Sequence, residues 1–237
     1  MPLMSKNANK RPSLPAGAKR SHFQRAFTLI ELLTVMTMLA VAMVAVFPAL
    51  RGLSGGNVNQ AVYDIAGTLE QARAYAMANN TYVFVGFAER SGMDAAKPGT
   101  GNVLVAVMGS RNGTRSFGAG NANLVPLAKV RRFGNVHLEN SLPALDNMSR
   151  PAVQDQCRIA SDAFQAQNAF TQGGQQFSKI IQFDPRGMAG VPTSLATVPE
   201  RLEIGLVAAR GDVVVGKEDC AAVIVDGVTG SAKIYRP

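Results

Sequence analysis

Residues 27–50 read FTLIELLTVMTMLAVAMVAVFPAL, an apolar run holding one charge, Glu31. At about 1.5 Å per residue a helix of this length reaches about 36 Å, enough to span a hydrocarbon core of about 30 Å. Beyond Gly52-Leu53-Ser54-Gly55-Gly56 the pattern changes. Val58, Val62, Ile65, Leu69, Ala72 and Ala76 recur at steps of three and four. That spacing predicts an amphipathic helix over 59–80, stopped by Asn79-Asn80, with its apolar stripe packed on a sheet. The period then shortens. Residues 82–87, 103–108, 179–183, 202–208, 221–225 and 231–235 are β-branched or aromatic runs separated by Gly, Pro and Asn, as antiparallel strands require. Asp226-Gly227 and Thr229-Gly230 between the last two signal a hairpin. Residues 141–178, rich in Gln, Asn and Ala with Pro143 and Pro151, break the rhythm. They are expected to form a long insertion or loop with a short helix around 159–170.

Charge gives this pattern a direction. The 237 residues carry a net +8, yet Lys6, Lys10, Arg11, Lys19, Arg20 and Arg25 precede the apolar run without a single acid. The body is therefore nearly neutral, and the basic tail belongs on the cytoplasmic side of a single-pass span, with the C-terminal body outside. A secretory signal peptide would end its apolar core at a small-residue cut. Ala40-Val41-Ala42 resembles such a cut, but the apolar run continues past it. A plain signal anchor accounts for length and orientation and leaves Glu31 unexplained, since an unpaired carboxylate in a bilayer helix costs roughly 2–3 kcal/mol.

Candidate chemistry is sparse. Cys157 and Cys220 lack metal-ligand spacing; in an oxidising compartment they can close one disulfide, and two buried thiols are the alternative. His22 and His137 are the only histidines. There is no nucleophile with a base, no phosphate loop and no metal-ligand cluster, and Gly113, Gly118 and Gly120 do not make a G-x-G-x-x-G pattern. Asp184-Pro185-Arg186-Gly187 places an acid beside a base, but a β-turn explains those residues. No enzymatic activity, cofactor or metal is expected.

Phe27-Thr28-Leu29-Ile30-Glu31-Leu32-Leu33, behind a basic leader, resembles the class III signal of type IV prepilins and type II secretion pseudopilins. The resemblance implies cleavage between Ala26 and Phe27 by a membrane-embedded prepilin peptidase, N-methylation of Phe27, and assembly through pairing of Glu31 with a neighbouring subunit's N-terminal amine. Ala26 departs from the family, which nearly always has Gly there. Pro48 matches the helix-distorting proline of pilin helices and equally suits the end of the span. The helix segment Gln71-Ala72-Arg73-Ala74-Tyr75-Ala76, the turn Phe183-Asp184-Pro185-Arg186-Gly187 and the closing hairpin of 226–235 are similar to the GspH/FimT-like branch. The implied fold is α+β and pilin-like: a long hydrophobic N-terminal helix before an antiparallel β-rich head. Its segments are a cleaved leader 1–26, a transmembrane and assembly helix 27–50, an amphipathic continuation 51–80 and a periplasmic or extracellular head 81–237.

Two functions compete at this level. The first is a minor pseudopilin or minor pilin of a type II secretion or type IV pilus-like filament, partnered by prepilin peptidase, other pilins and the inner membrane. The second is a minor pilin that captures DNA. It would use Arg111, Arg115, Lys129, Arg131 and Arg132, with Phe117 and Phe133 interspersed, plus Lys233 and Arg236. The near-neutral body weighs against it.

Overall fold

The computed structural model describes residues 28–51, 53–94, 96–146, 148–164, 168–192 and 198–237, with side chains throughout except over 44–56. Two compact units divide the chain, 1–46 and 47–237. Helix α1 (Leu29–Arg51) keeps a helical backbone past Pro48. Helix α2 (Leu53–Ala78) ends where the asparagine pair falls. Asn80 takes a left-handed φ of 49°, and the Thr81 amide donates to the Ala76 carbonyl at 3.1 Å, a cap that Asn tolerates and β-branched residues do not.

The strands following α2 are more numerous than the six runs foretell. In chain order they are β1 (Val83–Ser91), β2 (Gly101–Ser110), β3 (Leu124–Pro126), β4 (Arg131–Gly134), β5 (Val136–Leu138), β6 (Phe170–Gln172), β7 (Gln175–Phe177), β8 (Lys179–Phe183), β9 (Ala189–Gly190), β10 (Arg201–Arg210), β11 (Val213–Asp226) and β12 (Ala232–Tyr235). They build a six-stranded sheet in the order β3-β2-β1-β8-β9, with β4 also on β2, a four-stranded sheet β12-β11-β10-β5, and the small hairpin β6-β7. The pairings are antiparallel, with Val85 opposite Val107 and Ile181 in the first sheet and Ile204 opposite Val223 in the second.

Strand alternation then sorts the core. Val83, Val85 and Phe87 of β1, Val103, Val105 and Val107 of β2, and Ile181 and Phe183 of β8 share one cluster with Leu202, Ile204 and Leu206 of β10 and Ala221, Val223 and Val225 of β11. The α2 stripe Val58, Val62, Ile65, Leu69, Ala72 and Ala76 enters the same cluster, each residue almost fully buried. Helix and both sheets thus share one core.

The opposite faces are also covered. Phe84, Ala106, Met108 and Ile180 meet Phe117, Leu124, Phe170 and Phe177, while Val207, Cys220 and Ala222 meet Leu142 and Leu145. Double coverage explains why the central strands read as continuous apolar runs and not as alternating ones. The covers come largely from 141–178, so this stretch is a pair of lids packed on the sheets, not a free loop. Its expected helix around 159–170 is absent among the described residues there. Ser161 and Phe164 close single turns, and Phe170 opens β6 instead. Gly173 and Gly174, at φ 60° and 75°, supply the two-residue turn that lets Phe170 stack on Phe177 at 5.3 Å. Tertiary burial of two aromatics outweighs local helix propensity.

Two carboxylates fix these layers. Glu89 points inward from β1 and accepts from the Leu138 amide at 2.9 Å and meets His137 Nδ1 at 2.6 Å, which ties the first sheet to β5 of the second. Glu203 on β10, with only 3% of its side chain exposed, receives Arg150 on one oxygen and Arg158 Nε on the other at 3.2 Å. Arg150 and Arg158 also reach Asp146 and Asp155, so the lid of 142–164 is bolted to the sheet through one buried acid. Burial raises the Glu203 pKa, and the two guanidiniums oppose that rise.

Two substitutions test this packing. Gly86 faces the lid, and a Cβ there would lie 2.5 Å from Phe170 Cζ and 2.8 Å from Phe177 Cβ. Gly86→Val raises strand propensity but overpacks the lid, so urea unfolding should show a loss of about 1–3 kcal/mol; a stabilised variant would contradict this packing. Glu203→Gln leaves two guanidiniums without their buried anion and should cost about 3 kcal/mol by the same measurement. An unchanged midpoint would mean that the arginines are solvated.

Candidate functional site at the N-terminal helix

The apolar helix begins with a reciprocal cap. Thr28 precedes the first helical residue, and its Oγ1 accepts from the Glu31 amide at 3.3 Å, while Glu31 Oε2 accepts from the Thr28 amide at 3.3 Å and from the Thr28 hydroxyl at 3.4 Å. This is a capping box, in which residues three apart satisfy amide donors that the first turn leaves open. The carboxylate also stands at the positive end of the helix dipole. The T-x-x-E spacing was present in the sequence and could have announced this role. Further along, Thr34 and Thr37 donate to the carbonyls of Glu31 and Thr34, each at 2.9 Å, so their hydroxyls are satisfied within the helix.

Behind the cap, every residue from Thr28 to Met43 is exposed. Leu29, Ile30, Met36, Met38 and Val41 are each at least 62% exposed, and they point around the helix and not to one side. A helix apolar all round is unstable in water and needs a covering, either lipid or other helices. Among the described residues no helix is long and apolar enough to cross a membrane. The cleavage pair Ala26 and Phe27, the methylation position Phe27 and the leader lie outside the described residues.

The head places the remaining candidates apart. Arg131 donates to Thr68 Oγ1 of α2 at 3.3 Å, whereas its neighbour Arg132 turns to Asn102 Oδ1 at 3.1 Å, as alternation along β4 dictates. Arg115 reaches Gln182 at 3.4 Å on another part of the surface. Phe117 is buried edge-on against Phe84 at 4.7 Å, and Phe133 packs on the core, so neither offers a stacking face. Arg236 pairs with Asp219 at 3.4 Å, and Lys233 is exposed. The expected nucleic-acid surface is therefore not one patch. Lys129 and Arg131 line one hollow beside α2, and Arg111 lines a second that shares Tyr75 and Leu127 with it.

The cysteines are free and buried, Cys157 in the main core and Cys220 in the small cluster with Leu142 and Val207. Of the two alternatives the structure has the unpaired thiols: each is packed as a small hydrophobe in its own cluster. Burial raises both thiol pKa values. Among the described residues no three His, Cys, Asp or Glu side chains gather to hold a metal ion.

Three motifs that lie far apart in the chain meet. Asp184 Oδ1 accepts from the Arg186 and Met188 amides, each at 2.9 Å, and Gly187 has φ 84°, so the acid shapes a turn. A Cβ on Gly187 would come within 2.7 Å of Met77 Sδ on α2. The closing hairpin docks beside it: Glu70 of α2 accepts from the Ala232 amide at 2.7 Å, and the Ala189 amide donates to the Gly227 carbonyl at 2.8 Å. Helix end, turn and hairpin form one corner of the head.

An exposed, capped N-terminal helix with apolar residues on every side precedes a β-rich α+β head in the chain. Residues 21–47 match the prokaryotic N-terminal methylation motif, which supports the prepilin-type superfamily for this N-terminus. No curated protein and no solved structure matches the chain.

The corner carries a pH prediction. Asp226 is held below its ordinary pKa of 3.8, first by the Thr229 amide at 2.7 Å and then by the Thr229 hydroxyl and Val228 amide. A depressed folded pKa adds stability that is complete above the unfolded value and is lost as pH falls through the folded one. Asp226→Asn should therefore flatten the fall of melting temperature below the ordinary Asp pKa and leave the neutral-to-alkaline limb parallel to the wild type. An identical acid limb in both proteins would remove Asp226 from the account.

Proposed function

We propose that the chain is a minor pseudopilin or minor pilin, a structural and not a catalytic subunit of a type II secretion or type IV pilus-like filament. Prepilin peptidase cuts between Ala26 and Phe27 and methylates Phe27. The subunit is anchored in the inner membrane by a single pass with its N-terminus cytoplasmic, and the head is periplasmic or lies on the filament surface. The GspH/FimT-like branch is the best fit to the order of elements. The observation carrying this reading is the match of residues 21–47 to the methylation motif at the head of a helix whose apolar side chains are exposed on every side. A filament of like helices, or the bilayer before assembly, is the environment such a helix needs. Glu31 then serves twice, capping its own helix and offering its charge to a neighbour's methylated amine as a close pair at low dielectric.

Processing is read by intact mass of the membrane-extracted protein with and without the peptidase. Loss of residues 1–26 and gain of one methyl group are expected, and an uncut chain under co-expression defeats the proposal. Glu31→Gln separates the two duties, because Gln also closes a capping box while carrying no charge. The variant should be cut normally and fail to enter filaments; wild-type assembly would leave the charge without a role.

A further inference from the structure

Two adjoining hollows of about 350 and 260 Å³ share Tyr75 and Leu127 and run along α2 beside β2. The sheet edge there is interrupted. β4 pairs with β2 over Asn102–Val105 and β3 over Met108–Ser110, while between them the segment around Leu127–Val130 keeps contact through the Leu127 amide on the Val107 carbonyl at 2.9 Å. The result is a trough between a helix and an irregular edge, with Val105 and Val107 at its floor. Its charge is one-sided. Lys129 and Arg131 border one hollow and Arg111 the other, and among the described residues no Asp or Glu lines either. Arg131 donates to the Thr68 hydroxyl of α2.

We propose that this trough docks an extended, acidic polypeptide segment with apolar side chains at alternate positions, supplied by a partner protein. Val105 and Val107 under one hollow, with exposed Lys129 and Arg131 beside it and Arg111 on the other, match a strand that lays one face of apolar side chains on the valines and turns the carboxylates of its other face to the exposed cations. The chain's own leader is excluded by charge, since residues 1–26 hold six cations and no acid. Nucleic acid fits less well: among the described residues Tyr75 is the only aromatic lining the two hollows, where single strands need successive stacking platforms, and Arg115, Arg132 and Arg236 engage Gln182, Asn102 and Asp219.

The test uses the full chain in detergent micelles at low salt, with fluorescence anisotropy of a labelled octapeptide of alternating Glu and Val. A Lys-Val octapeptide and a labelled oligothymidylate serve as rivals. Arg111→Glu combined with Lys129→Glu changes one exposed side chain at each hollow and spares the Thr68 contact, so the fold should be kept, as thermal melting would register. The wild type should bind the Glu-Val peptide and not the Lys-Val peptide, the double variant should bind it about tenfold or more weakly, and Arg132→Glu, on the other face of β4, should bind as the wild type does. No binding by the wild type, equal binding by the double variant, or tighter binding of oligothymidylate through the same two residues each overturns the proposal.

Discussion

The stripe of α2 holds the head together because both sheets bury it in one cluster. Val62, Ile65 and Leu69 lie in the same cluster as β1, β2 and β8 on one side and β10 and β11 on the other. Fully burying an aliphatic side chain contributes roughly 1.5–3 kcal/mol, so the stripe outweighs any single polar contact in the molecule. Neither sheet closes on itself, and without the helix both inner faces would stay open to water. The contacts of Glu89 with Leu138 and His137 link the sheets, but a pair of hydrogen bonds worth about 1 kcal/mol each cannot replace the buried area.

Once the inner faces are filled, the outer ones become the problem. The central strands carry large apolar residues on both sides, and a half-covered sheet would expose Phe84, Ile180 and Val207. The stretch of 141–178 resolves this with two different devices. The aromatic hairpin β6-β7 relies on Phe170 and Phe177 sitting against a glycine, Gly86, that lets them approach the strand. The lid of 142–164 buries Leu142, Leu145, Ile159 and Phe164 and adds a buried carboxylate gripped by two arginines. The second device is the costlier one, since the desolvation of Glu203 offsets much of its Coulombic gain. Its benefit is position: a guanidinium pair fixes where the lid lies more sharply than apolar contact does.

Elements with a strong local period were legible, and those defined by distant partners were not. The α2 stripe, its asparagine stop, β8 and the closing hairpin follow from spacing and turn residues alone. β3, β4 and β5 are three or four residues long, too short for a period to register, and exist because β2 and β10 offer edges to pair with. Among the described residues of 159–170 the expected helix does not form, for a related reason. Its Ala and Gln favour a helix, but Phe164 and Phe170 are drawn into separate clusters. Gly173-Gly174 between two short polar-aromatic runs is a hairpin signal that the compositional reading of that stretch passed over. The basic residues were legible as charges but not as a surface, because alternation sends Arg131 and Arg132 to opposite sides.

The N-terminal cap bears on why the acid stands at Glu31 and not elsewhere in the apolar run. A capping contact contributes about 1 kcal/mol, and the helix dipole adds a few tenths. A carboxylate in a bilayer helix costs roughly 2.5–3.5 kcal/mol at the centre and less toward the end. At the third helical position the cap therefore offsets much of the cost, whereas one turn further in nothing on the helix would. The reciprocal bonds with Thr28 also fix the rotamer, so the carboxylate is held at the helix mouth with lone pairs to spare. A cation arriving from a neighbour would meet a group already ordered, and the entropy of fixing that side chain would not be charged to association. The proposed pairing of Glu31 with a neighbour's amine would thus use a geometry that the cap has already set.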